Sequence, residues 1–143
     1  MTRLIRALGL ALALLTALPG PAARAGEAET NAAIERVIAD QLAAFARDDF
    51  AAAFAHAAPG IQAKFGSPAG FGRMVRQGYP MIYRPARVEW RALETTAGGA
   101  QVKTVLFEDA MGRLFEVDYL MGRTEGAWRI RGVQLRRLPG LAS

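Results

Sequence analysis

The feature that most narrows what this chain can fold into is a change of hydrophobic period at Gly78-Tyr79-Pro80. Before that point apolar residues recur at helical spacing, and after it they alternate as in strands. Phe71, Met74 and Val75 form one apolar stripe, Gly78 is placed to end their helix in the left-handed conformation, and Pro80 cannot continue it. Pro80 and Pro85 fix φ and push the residues before them towards extended geometry, so residues 81–84 are expected to cross stiffly from a helical layer to a sheet. Helices followed by strands imply an α+β fold.

The helical half divides at its breakers. From Thr30, a candidate N-cap, Ile34, Val37, Ile38, Leu42 and Phe45 fall on one helical face. Residues 26–31 read as a frayed polar leader. Arg47-Asp48-Asp49 ends that helix, and either aspartate can cap a second over residues 50–58, closed by Pro59-Gly60. A short helical turn covers residues 61–65, then Ser67-Pro68 supplies a cap and a first-turn proline for the helix ending at Gly78. Paired carboxylates at Asp48-Asp49 would point apart, so capping explains them better than catalysis.

The second half predicts four strands over residues 87–93, 101–108, 114–121 and 127–135, with turns at Gly98-Gly99, Asp109-Ala110-Met111-Gly112 and Glu125-Gly126. A two-residue last turn sets Tyr119 and Met121 opposite Gly132 and Ile130, and Leu120 opposite Arg131. Between the second and third strands two registers compete. One pairs Lys103 with Asp118 and Leu106 with Phe115; the other, slipped by one residue, stacks Val105 on Phe115 instead and puts Phe107 on the face of Trp90. Both faces of these strands carry apolar residues. Helices are expected to cover one, and a partner chain or a second copy the other.

Compartment follows from the amino-terminal residues. Arg3 and Arg6, an almost wholly apolar run over residues 7–18, and Ala23-Arg24-Ala25 read as a secretory signal cut after Ala25, giving a periplasmic or secreted protein. The run of 12 residues falls short of the ~20 that a spanning helix needs. Without residues 1–25, residues 26–143 form one α+β domain of 118 residues with no cysteine, so its stability rests on its core. Arg3, Arg6 and Arg24 leave with the leader, and 15 basic residues then face 13 acidic ones. A formal +2 gives no ground for nucleic-acid binding.

Several phrases resemble a small secreted bacterial family catalogued as domain of unknown function 4864. They are Gln41-Leu42-x-x-Phe45-x-x-Asp48-Asp49, Ala53-Phe54, Pro59-x-Ile61, Phe65-Gly66-Ser67, Phe71-x-x-Met74-Val75-x-x-Gly78-Tyr79-Pro80, Arg84-Pro85, Val117-Asp118-Tyr119-x-Met121, Trp128-x-Ile130-x-Gly132-Val133-Gln134-Leu135 and Pro139-Gly140. That resemblance implies no activity. The layout is also similar to the nuclear transport factor 2-like (SnoaL-like) superfamily. It would imply a bent, cone-like antiparallel sheet wrapped around a long helix with a pocket between them; with the elements above, the expected fold is three N-terminal helices packed on a curved four-stranded antiparallel meander. Members of that superfamily include isomerases, dehydratases and many non-catalytic binding modules.

Candidate chemistry is sparse. With one histidine and no cysteine, no structural zinc site is expected, and no other metal or cofactor is implied. His56 could act as a general base, or sit at a helix C-terminus with a structural role. Asp118 could be a pocket acid or base, with Tyr79 or Tyr119 steadying an oxyanion, as the superfamily resemblance implies. Asp118 and Tyr119 face opposite sides of a regular strand, however, and an ion pair of Asp118 with Lys103 or Arg131 accounts for it more simply. Gly70-Phe71-Gly72 follows no strand and is not a dinucleotide fingerprint, and Ser67 is a cap rather than a nucleophile. Two arginine clusters, Arg129, Arg131, Arg136 and Arg137, and Arg73, Arg76, Arg84 and Arg87, read first as solvated charge.

The leading expectation is a non-catalytic module that binds a small apolar or amphipathic ligand, or a protein, between helix one and the sheet. Tyr79, Tyr83, Arg84, Phe45 and Tyr119 are its candidate binding residues. The alternatives are an isomerase- or dehydratase-like enzyme using Asp118, His56 or Tyr79, and a homodimer joined through the outer sheet face.

Overall fold

The computed structural model describes residues 17–138. Among the described residues five helices, α1 (Pro21–Ala46), α2 (Phe50–Ala55), α3 (Pro59–Phe65), α4 (Pro68–Gly78) and α5 (Pro80–Tyr83), precede four strands. The strands β1 (Arg87–Thr95), β2 (Gln101–Glu108), β3 (Leu114–Thr124) and β4 (Ala127–Arg137) pair in chain order, all antiparallel. The α+β order and the meander agree with the sequence; the helix count is five rather than three.

Proline explains most of the difference. Its locked φ and missing N–H suit the first helical turn, and Pro21, Pro59, Pro68 and Pro80 all sit there. The same Pro80 that stops α4 therefore starts α5, and residues 81–84 do not cross as extended chain. Gly78 remains helical; the positive-φ glycines are Gly66, Gly99, Gly112 and Gly126. Helix α1 starts at Pro21, so residues 26–31 are helical and Thr30 lies inside the helix. The predicted secretory leader falls largely on residues 1–16, outside the described residues. The predicted caps at Asp49 and Ser67 form, accepting from the Ala52 and Gly70 amides at 3.0 and 3.1 Å.

The core lies between α1 and the inner sheet face. Ile34, Ile38 and Phe45 meet Val105, Phe107, Val117, Tyr119 and Met121, all essentially solvent-free. The β2–β3 ladder takes neither expected register: Phe115 pairs with Phe107 rather than Leu106 or Val105, and Val117 pairs with Val105, although Phe107 does share the face of Trp90. In β3–β4, Met121 pairs with Ile130 as expected. A bulge follows, so Tyr119 faces Val133 rather than Gly132, and Leu120 faces Gly132 rather than Arg131. The outer face carries ion pairs: Arg87 pairs with Glu108 at 2.8 Å, and Arg136 bridges Glu116 and Asp118 at 3.2 and 3.1 Å. Asp118 also accepts from the Thr104 hydroxyl at 2.8 Å, so its partners are neither Lys103 nor Arg131.

Lys103 points inward and is only 1% exposed. Its ammonium donates to Glu35 at 2.7 Å, to Asn31 at 2.8 Å and to the Arg91 carbonyl at 2.7 Å. That carbonyl is available because β1 bulges between Trp90 and Leu93. One side chain thus joins α1, β1 and β2. Lys103→Ala strands a carboxylate and a carbonyl, and is expected to lower unfolding free energy by about 2–4 kcal/mol. Lys103→Met, which keeps the apolar volume, should lose less; urea titration of both variants checks the order.

Candidate functional site

The site is built by a splice between loop and strand. The Ile130 amide donates to the His56 carbonyl at 2.9 Å, and the Ala58 amide donates to the Ile130 carbonyl at 2.8 Å. The α2–α3 junction is thereby held against β4 as a parallel bridge at Ala57. Beyond it α3 stands over the β3–β4 end of the sheet. α4 closes the side, drawn against α2 because Gly72 has no Cβ; one would come within 2.6 Å of the Phe50 ring. Between these elements lies a cavity of about 710 Å³, within the ~300–1,000 Å³ of small-molecule sites.

Its walls are mostly apolar, with Phe45, Phe71, Val75, Ile82 and Ile130 among them. Phe71 is the hub, with ring centroids 5.9 Å from Phe45, 5.4 Å from Phe54 and 6.1 Å from Phe65. Tyr119 contributes from the sheet. Its hydroxyl is buried with no hydrogen-bond partner among the described residues, and burial pushes its pKa well up. Gln41, also lining the cavity, donates to the Ala53 carbonyl at 3.1 Å. Lys64, Arg123 and Arg131 bring positive charge to the lining, and among the described residues no carboxylate lines it.

Of the sequence-predicted residues, Phe45, Tyr79 and Tyr119 line this cavity, whereas Tyr83 and Arg84 do not. Arg84 donates to the Phe45 carbonyl at 2.6 Å and to Asp48 at 3.1 Å, and the Tyr83 hydroxyl donates to the same Asp48 oxygen. The pair clamps the C-terminal end of α1, where a cation suits the exposed carbonyls. Tyr83's hydrogen bond, helped by Arg84, holds the Asp48 carboxyl below its usual range, and the same bond raises Tyr83.

The three catalytic candidates do not converge. Asp118 lies on the outer face among Thr104 and Arg136. His56 caps α2 away from the lining, and Tyr79 alone reaches the cavity. Among the described residues no three His, Cys, Asp or Glu side chains gather as a metal site. Sequence reasoning missed Arg123, although the two-residue Glu125-Gly126 turn already sets it opposite Trp128, where its guanidinium lies 4.7 Å from the ring centroid. Lys64, on a two-turn helix without a buried residue, left no comparable signal.

The family model described as "Domain of unknown function (DUF4864)" matches residues 27–142. No curated protein and no solved structure matches the chain.

Two outcomes follow from the orphaned polar atoms. Tyr119→Phe removes a hydroxyl that folding desolvates without return, and is expected to raise unfolding free energy by about 1 kcal/mol in thermal melts; a loss of stability would reveal a partner for it. His56 Nδ1 is also buried without a partner among the described residues. Burial, reinforced by Arg129 and opposed by Asp40, holds the His56 pKa below its ordinary 6.5. Folding therefore favours the neutral ring. Its contribution is complete above about pH 6.5 and is lost as pH falls towards the folded value. Melts from pH 7.5 to pH 5 should show that decline, with His56→Gln flattening it.

Proposed function

The chain belongs to the DUF4864 family, whose function is unknown, and we propose that it is an exported, non-catalytic module holding a small apolar or amphipathic ligand between its helices and its sheet. The observation that carries this reading is a cavity of about 710 Å³, walled by aromatic and aliphatic side chains, into which no acid, base and nucleophile set converges. Burial of apolar ligand surface there would supply affinity at ~25 cal/mol per Å² before the costs of association are subtracted. A long helix laid across a bulged antiparallel sheet, with space between them, supports the nuclear transport factor 2-like layout as part of the same reading. Export rests on Arg3, Arg6, the apolar residues 7–18 and Ala23-Arg24-Ala25. Among the described residues no helix is long and apolar enough to cross a membrane.

A ligand is favoured over a homodimer because the apolar space lies under the helices, while the outer sheet face is occupied by the Arg87 and Arg136 ion pairs. It is favoured over an acid/base enzyme because Asp118, His56 and Tyr79 stand apart.

Uptake of N-phenyl-1-naphthylamine, a neutral fluorescent probe of apolar cavities, tests the reading. The chain should bind it, and Met74→Trp, which fills the cavity from α4, should weaken binding about tenfold with little change in melting temperature. Failure to bind would remove the reading. Turnover of a carbonyl substrate that Asp118→Asn abolishes would replace it with the enzymatic one.

A further inference from the structure

The charge around this cavity is one-sided, and its two best-placed cations rest on rings instead of carboxylates. Lys64, in the last turn of α3, has its ammonium 5.4 Å from the Phe65 centroid, and Arg123 of β3 lies 4.7 Å from that of Trp128. Among the described residues neither takes part in an ion pair. The arginines of the outer sheet face show the contrast, since Arg87 and Arg136 are each neutralised by two carboxylates. A cation held on an aromatic face keeps its full charge for a further partner, and beside an apolar cavity its attraction for an anion is less screened than in open water.

We infer that the ligand is a single-chain amphiphile with an anionic head, a carboxylate or a phosphate ester, whose tail lies against Phe71, Val75 and Ile82 and whose head meets Lys64 and Arg123. Arg131 adds to the same field: it lines the cavity, and its stem crosses Gly122 so closely that a Cβ there would come within 2.4 Å of it. Both contacting cations are exposed, so each contributes modestly, and the apolar walls supply most of the affinity. The headgroup charge decides which amphiphile is held. This inference rests on the ligand-binding reading above.

The experiment displaces N-phenyl-1-naphthylamine from the chain with four twelve-carbon competitors: laurate, dodecyl phosphate, dodecanol and dodecyltrimethylammonium. One or both anions should displace the probe at about tenfold lower concentration than dodecanol, with the cation weakest, and added salt should narrow the margin. Whichever anion is stronger distinguishes a carboxylate from a phosphate ester. In the Lys64→Gln/Arg123→Gln variant the margin should shrink to within about twofold, with dodecanol displacement unchanged as a control for folding. Equal displacement by dodecanol and the anions, or a margin that survives in the variant, overturns the anionic head and leaves the apolar pocket standing. A chain that never takes up the probe overturns both.

Discussion

The Lys103 ammonium, enclosed by Glu35, Asn31 and the Arg91 carbonyl, is the interaction on which the rest of the structure depends. A charge so far from water is tolerable only when its donors are matched by good acceptors, and here three oxygens lie at 2.7–2.8 Å. Asn31 and Glu35 are one helical turn apart and are themselves hydrogen-bonded at 3.1 Å. The contact therefore sets the rotation of α1 as well as its position. With that rotation set, Ile34, Ile38, Gln41 and Phe45 turn towards the sheet.

The same contact decides a register that apolar patterning leaves open. Val102, Thr104 and Leu106 on one face of β2 are nearly as apolar as Lys103, Val105 and Phe107 on the other. A slip by one residue would put Lys103 outside, in water, and leave Glu35 and Asn31 facing a hydrophobic side chain. Burying an inward lysine thus disfavours the alternative pairing more than it adds to stability. Its acceptors are what sequence reading could not supply, because the carboxylate it pairs with lies 68 residues away and the carbonyl exists as an acceptor only through a bulge.

Elsewhere legibility followed how local each cause is. The Ser67 and Asp49 caps, the Glu125-Gly126 turn and the face of α1 depend on residues within a few positions, and all formed as the sequence predicts. The turn at α5 did not, because Pro80 can both stop a helix and start one. The β4 bulge displaced Tyr119 from Gly132 to Val133, and bulges answer to tertiary demand that no two-residue turn announces. In the site, Phe45, Tyr79 and Tyr119 were legible from their periodicity and place in the fold. Tyr83 and Arg84 were assigned to the pocket by proximity in sequence, while their chemistry belongs to the end of α1.

Why a cavity survives in an otherwise close-packed core can be traced to side-chain size. The segment laid over β4 is Ala57-Ala58-Pro59-Gly60, with no side chain long enough to reach the sheet. Opposite it, Gly132 offers only backbone, and a Cβ there would meet nothing within 4 Å. Larger residues at either place would fill the volume and deepen the core, as Ile34 and Ile38 do over β2 and β3. The inner sheet face is therefore divided. Its β1–β2 side is sealed by the lysine contact, and its β3–β4 side is spanned by small residues and edged with cations. The lysine contact and the cavity thus occupy separate halves of one surface, so the cavity can vary in its lining without loosening the tie that positions α1.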